Sequence, residues 1–355
     1  MNSDIQLDLI ESRIGELVAR AIAVPGAGEG DPACGAVMAD VARQALVSSE
    51  GGKRLRAILA LAAFDAAAGA PDARDAMLDL ACGIEVFQTA ALVHDDIIDD
   101  SDLRRGKPAA HKAMAALAGD EAIGRGLGIM LGDLLATASV AIADEAARNL
   151  HGADRLTAAF LNMHREVEIG QVLDLAVELA SLDDPQRLAA ASLDVFRWKT
   201  ASYTTIAPIE LGLIAAGTPA DEARRRALAV GGPLGLAFQL ADDLLDVVGD
   251  SRATGKPVGG DIREGKRTVL LADALEGADA AGRDELRAMF EAPSRDADQV
   301  ARAIALFESS GAIARSRARI ADLWDDTVRA VDAWGLDVAA RDALLAVCAR
   351  FVPSL

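Results

Sequence analysis

Residues 87–107 read FQTAALVHDDIIDDSDLRRGK. A stretch that suits a buried helix runs straight into five acids within eight positions, and Arg104, Arg105 and Lys107 follow at once. On a helix Asp95 and Asp99 lie one turn apart and point the same way, with Asp96 alongside. A solvated acidic face is the ordinary reading of such a pattern. Solvated faces, however, are not normally set into core-grade helix, and here apolar residues precede and interrupt the acids. Like charges this close repel one another unless something positive sits among them.

The rest of the chain is of the same helical kind. Its 355 residues are 52% apolar but only 3% aromatic, with alanine throughout and few β-branched residues, a composition that favours packed helices. Apolar spacing predicts helices at 4–23, 32–48, 54–69, 73–100, 109–118, 121–147, 154–180, 185–201, 203–216, 220–249, 266–275, 281–290, 296–308, 310–333 and 338–351. Turns fall at PGAGEGDP (25–32), GAPD (69–72), LRRGKP (103–108), DDP (183–185) and APSRD (292–296). None is long or polar enough to link two domains, so residues 1–355 are expected to form one all-α domain, a large helical bundle.

A formal net charge of −19 argues against nucleic acid and anionic membranes as partners, and it opposes long-range capture of an anionic substrate. Such a ligand would need metal ions or a local basic cluster. Cys34, Cys82 and Cys348 are widely spaced and odd in number, which suggests neither disulfides nor a zinc site and fits a reducing cytoplasm. The N-terminus reads as an acidic amphipathic helix rather than a signal peptide, and no charge-free apolar run reaches spanning length. A soluble cytoplasmic protein is expected. The Gly-rich stretch SRATGKPVGGDIREGK (251–266) is long for a loop and is a candidate lid. Gly260, Gly265 and Lys266 have the spacing of a Walker loop, but Arg267 replaces the Ser or Thr that holds magnesium and no strand precedes it.

The acid pattern returns in FQLADDLLDVV (238–248), where Asp242, Asp243 and Asp246 repeat the spacing inside another apolar helix. Two inward-facing acid clusters in one helical domain demand polyvalent cations between them. Carboxylates suit Mg²⁺, which takes one or two of them and completes its shell with phosphate oxygens and water. A ferritin-like di-iron bundle would need Glu-x-x-His pairs, and none of His94, His111, His151 or His164 has a Glu three residues before it. His94 points off the Asp95/Asp99 face and reads as a packing residue or a support behind the acids. Basic residues in apolar surroundings supply the opposite charge: Lys53, Arg54 and Arg56 after Gly51 and Gly52, then Arg104 and Arg105, then Lys199 beside Thr200. Together they are positive enough for two diphosphates.

With these motifs in order, GGKRLR (51–56), DDIIDDSDLRRG (95–106), GQVLD (170–174), KT (199–200), FQLADDLLD (238–246) and GKPVGGDIREGK (255–266), the chain resembles the trans-type polyprenyl diphosphate synthases over residues 50–270. The resemblance implies an all-helical fold around a deep central cavity, commonly as a homodimer. It implies head-to-tail condensation of isopentenyl diphosphate onto an allylic diphosphate, with three Mg²⁺ ions when substrate is bound. Carried over, Asp95, Asp99 and Asp242 bind metal, with Asp96, Asp243 and Asp246 assisting. Arg104, Lys199 and Lys256 hold the allylic diphosphate, and Lys266 adds to the substrate contacts. Lys53, Arg56, Gln88 and Arg105 hold isopentenyl diphosphate, while Thr200 and Gln239 lie beside the developing allylic cation.

Ala90 and Ala91, about one turn before Asp95, are small where short-product members of that family carry aromatics. Phe87, about 12 Å before Asp95 along the helix, reads either as the floor of the tail pocket or as ordinary core. A product of geranylgeranyl length or longer is expected. A class I terpene cyclase shares the aspartate–magnesium logic but needs no second diphosphate site, which GGKRLR and Arg105 argue for. A non-catalytic prenyl-diphosphate-binding subunit would lose an acid motif, and both are present.

Overall fold

The computed structural model describes residues 3–23, 25–249 and 258–353. With 80% of its residues helical and one two-stranded hairpin as the sheet among the described residues, the protein is all-α. The chain divides into two compact units, Met1–Leu161 with Glu210–Ala220, and Asn162–Ile209 with Asp221–Leu355.

The first unit holds α1 (Ser3–Ile22), α2 (Pro32–Ser49), α3 (Leu55–Ala66), α4 (Arg74–Ile98), the hairpin β1 (Leu103–Arg104) and β2 (Lys107–Pro108), α5 (Ala110–Ala118), α6 (Glu121–Ala147) and the start of α7 (Ala153–Val177). Close approach along α6 depends on small residues. A Cβ at Gly124 would lie 2.3 Å from the Ala115 Cα, and one at Gly132 would lie 2.2 Å from the His94 ring. Gly83 of α4 meets the Ser139 carbonyl, so α4 and α6 run antiparallel with His94 seated over Gly132. Met77, Leu80, Ile84 and Phe87 of α4 and Leu131 and Leu135 of α6 are fully buried core. Arg54 begins α3 in the left-handed region at φ 49° and turns inward. It donates to both Glu11 carboxylate oxygens at 2.9 and 2.8 Å and pairs with buried Glu85 at 3.6 Å. Glu85 also accepts from the Ala57 N–H at 3.0 Å, so one buried ion group ties α1, α3 and α4 together.

The second unit holds the rest of α7, α8 (Pro185–Val195), a π-helical segment Phe196–Ile206, the first residues of α9 (Ala207–Ala215), α10 (Ala220–Val248), α11 (Gly260–Glu264), α12 (Val269–Gly277), α13 (Ala280–Glu291), α14 (Ala297–Ser309), α15 (Ala312–Asp332) and α16 (Val338–Cys348). Leu244, Leu271, Leu275, Leu286 and Phe307 are among its core residues. Part of the acid excess has a structural use. Asp31, Asp120, Asp184, Asp279, Asp296 and Asp337 are N-caps, each accepting from a backbone N–H of the first turn of its helix.

Most predicted helices are present within a few residues. The break expected near residue 202 is absent, because the chain continues as a π-helix through 196–206 into α9. Within 251–266, expected as one loop, Gly260–Glu264 forms a short helix, and residues 251–257 lie outside the described part. Residues 71–98, α6 and α10 are long and apolar enough to cross a membrane by length and composition. The most apolar windows of the three are 72%, 44% and 50% buried within the fold, so that of 71–98 serves largely as core.

Gly124→Ala forces a Cβ against the α5 backbone and is expected to destabilise the protein by about 1–3 kcal/mol, the usual cost of overpacking. A thermal melt indistinguishable from that of the parent protein would contradict the α5–α6 packing described.

Candidate active site

The first acid cluster lies where α4 ends. Asp99 is the C-cap residue and its N–H donates to the Asp95 carbonyl at 2.9 Å, which keeps the two acids one turn apart. Asp95 is half-buried, Asp99 exposed and Asp96 buried. Asp96 accepts from the Arg104 Nε at 2.9 Å and from its Nη2, so this acid is already neutralised. Asp100, at φ 49°, turns the chain out of the helix, and Lys112 at 3.2 Å holds its carboxyl below the usual range.

The hairpin that follows places the two arginines. Leu103 pairs with Pro108 and Arg104 with Lys107, leaving Arg105 and Gly106 as the two turn residues, at φ 52° and 75°. Two positive φ values are the signature of a type I′ turn, which favours Asn or Gly at the place Arg105 takes. A bulky side chain in that region is an outlier of the kind that marks functional sites. The Arg105 guanidinium donates to the carbonyls of Glu50 and Gly51 at 2.6 and 2.8 Å. Gly52 gives it passage, since a Cβ there would lie 3.1 Å from Arg105 Nη2. Burial, together with repulsion from Arg54 and Arg104, lowers the Arg105 pKa, so a bound anion would relieve this guanidinium. A pocket of about 540 Å³ opens here, lined by residues that include Val47, Glu50, Leu92, Asp96, Arg104 and Arg105.

The three basic residues of GGKRLR part company. Lys53 is exposed, Arg56 is buried in the first turn of α3, and Arg54 is committed to Glu11 and Glu85. Gln88 is half-buried on α4, two turns before Asp95. Ala91 is half-buried one turn before Asp95, while Ala90 and Phe87 are buried to 1% exposure.

In the second unit Asp242 is exposed on α10, Asp243 is buried and Asp246 is half-buried. The Gln239 amide donates to Asp243 at 2.8 Å, and its carbonyl accepts from the Thr200 hydroxyl at 2.9 Å. The second Asp243 oxygen is buried without a donor among the described residues. Burial foremost, then the charges of Asp261 and Asp242, push the Asp243 carboxyl well above its ordinary range, against the Gln239 hydrogen bond. Asp246 receives the N–H groups of Gly260 and Asp261 at 3.1 and 3.0 Å and so anchors the start of α11. Asp261 is pushed up to about 6 by burial and by Asp246, Glu264 and Asp242, against the pull of Lys266. Lys266 lies 3.0 Å from Glu264 and 3.7 Å from Asp261. Lys199 donates to Asp174 of α7 at 2.5 Å. Lys256 lies outside the described residues.

Two acids were not given roles from the sequence, Asp174 and Asp261. Both stand inside motifs already singled out, GQVLD and GGDIREGK, but their partners are distant in sequence, and only the fold shows that they meet Lys199 and Asp243. The donors at both clusters are carboxylates rather than imidazole or thiolate, which suits a hard divalent cation. Among the described residues no three such side chains converge to hold an ion alone. An ion at either cluster therefore needs other oxygens, and diphosphate oxygens fit that requirement.

Residues 39–307 match the family profile Polyprenyl synthetase. The short chain isoprenyl diphosphate synthase of Methanothermobacter thermautotrophicus is 33% identical over 273 residues, 74% of this chain and 74% of the relative. The geranylfarnesyl diphosphate synthase of Aeropyrum pernix is 34% identical over 274 residues, 76% of this chain and 80% of the relative. The solved geranylgeranyl pyrophosphate synthase of Corynebacterium glutamicum, complexed with isoprenyl diphosphate and magnesium, matches at TM-score 0.84 and 30% identity, covering 99% of each chain. Motifs, helical architecture and relatives agree: this chain belongs to the polyprenyl synthetase family and is a prenyltransferase.

Proposed function

We propose that the protein condenses isopentenyl diphosphate with an allylic diphosphate, through Mg²⁺-assisted ionisation, to make a trans-polyprenyl diphosphate of C20 or longer. The observation that carries this reading is the charge arrangement. Both α4 and α10 carry acids set into apolar helix, and one buried oxygen of Asp243 has no donor among the described residues. Arg105, strained and held by backbone carbonyls, is a ready anion site.

Asp95, Asp99 and Asp242 hold the divalent ions, three of them with substrate bound, and Asp243 and Asp246 assist while Asp96 fixes Arg104. When bound, these cations neutralise the charge that gathers on the departing diphosphate. Arg104, Lys199 and Lys256 bind the same diphosphate from the protein side, with Lys266 assisting. Thr200 and Gln239 turn oxygen lone pairs toward the allylic cation. Gln239 is fixed for this, because its amide hydrogens go to Asp243 and leave the carbonyl on the Thr200 side. Lys53, Arg56, Gln88 and Arg105 hold isopentenyl diphosphate by its head, so its double bond attacks from a set position. Loss of a proton, for which the released diphosphate is a base, completes the step. Phe87, Ala90 and Ala91 form the wall that sets tail length. The protein acts as a cytoplasmic homodimer, supported by Ile123, Met130 and Leu134, which lie exposed on one face of α6.

Incubation with isopentenyl diphosphate, Mg²⁺ and allylic primers of several lengths is expected to give elongated diphosphates of at least C20 and no turnover after chelation. Conversion of the primer without isopentenyl diphosphate would contradict the reading. Asp95→Ala and Asp242→Ala should each lower kcat by about 100-fold or more, the scale of losing a transition-state charge contact. Near-parental turnover in either would remove it from the metal set. Arg105→Ala should raise the KM for isopentenyl diphosphate with little change for the primer, and Ala91→Phe should shorten the product. An unshortened product would refute the wall assignment.

A further inference from the structure

The segment FRWKTASYTTI (Phe196–Ile206) is π-helical over 11 residues, whereas π turns in proteins are mostly single and often mark functional sites. Something must hold so long a run. Three glycines on neighbouring helices lie against its backbone. A Cβ at Gly170 of α7 would stand 2.1 Å from the Lys199 nitrogen, one at Gly231 of α10 2.8 Å from the Ile206 Cα, and one at Gly235 2.4 Å from the Ala201 Cβ. None of the three has a positive φ, so glycine is present for space and not for backbone conformation. The Thr205 hydroxyl, fully buried, lies 3.1 Å from the Ala201 carbonyl and 2.6 Å from that of Gly231, a bridge from the π turn to α10.

The glycines also stand in register with what the segment presents. Gly170 is one helical turn before Asp174, which receives Lys199 at 2.5 Å. Gly235 is one turn before Gln239, which receives Thr200 at 2.9 Å. Consecutive residues thus reach two different helices, each beside the glycine that admits the backbone. In an α-helix adjacent side chains diverge by about 100°; the wider π turn narrows that angle.

We propose that Gly170, Gly235 and Thr205 are positioning residues for the prenyl transfer. They hold the π register in which Lys199 meets Asp174 and Thr200 meets Gln239, and so fix the geometry offered to the allylic diphosphate. This rests on the assignment of Lys199 and Thr200 to that substrate. An alanine at either glycine must push the π turn away, because real Cβ contacts are not found under 3.0 Å.

The test is steady-state kinetics of Gly170→Ala, Gly235→Ala and Thr205→Val with each substrate varied in turn, alongside thermal melts and Lys199→Ala. The glycine variants should lose about 100-fold in kcat/KM for the allylic diphosphate, the cost of misplacement on the 1 Å scale, with the KM for isopentenyl diphosphate unmoved. Thr205→Val removes a hydroxyl and little bulk. It should melt cooperatively and show the same selective loss, smaller in size, so it decides the matter if the glycine variants do not fold. Parental kinetics in Thr205→Val, or a KM for isopentenyl diphosphate that rises as much as that for the allylic diphosphate, overturn the proposal. If Lys199→Ala leaves the allylic kinetics intact, the substrate assignment itself falls. If Lys199→Ala is impaired while Thr205→Val and the glycine variants are not, only the positioning role falls.

Discussion

Carboxylates embedded in apolar helix need positive charge, and that requirement organises this protein. Some of the acids find it within the chain. Asp96 takes Arg104, Asp174 takes Lys199, Asp273 takes Arg319, and Glu85 shares Arg54 with Glu11. Others serve as helix caps, where backbone N–H groups substitute for a cation. At Asp243 of α10 neither use suffices, since one of its buried oxygens has no donor among the described residues. Burial foremost, with the charges of Asp261 and Asp242, raises the Asp243 pKa, the mark of a carboxyl with too little positive charge around it.

Glycine is the second constraint. On α6 it lets α5 and α4 approach within side-chain-free distance, and on α7 and α10 it admits the swollen backbone of the π segment. In an alanine-rich chain with few aromatics, packing comes from backbone proximity rather than from large interlocking side chains. The price is intolerance: one added methyl group at Gly124 or Gly170 meets backbone atoms that cannot swing aside.

The helices were legible in the sequence because apolar spacing and capping residues are local signals, and the two acid motifs were legible because their spacing repeats. What escaped the sequence depends on partners far away in the chain. GGKRLR shows three similar cations, yet Arg54 is drawn inward by Glu11 and Glu85 while Lys53 remains in solvent. The π segment keeps a helical composition throughout, so its changed register has no local mark; its hydroxyls bond back to carbonyls one turn earlier, as Ser202 does to Trp198 at 2.5 Å. Asp261 was hidden in a glycine-rich loop whose short helix is seated by Asp246.

The central claim is that the carboxylates of α4 and α10 recruit divalent ions only in the company of a diphosphate. Calorimetric titration of a non-ionisable allylic diphosphate analogue, with Mg²⁺ and then with chelator, addresses it directly. Tight binding that disappears on chelation, and that Asp95→Asn and Asp242→Asn each abolish, is the predicted outcome. Equal affinity with and without Mg²⁺ would show that the basic side chains hold the ligand alone and that the acids have some other purpose.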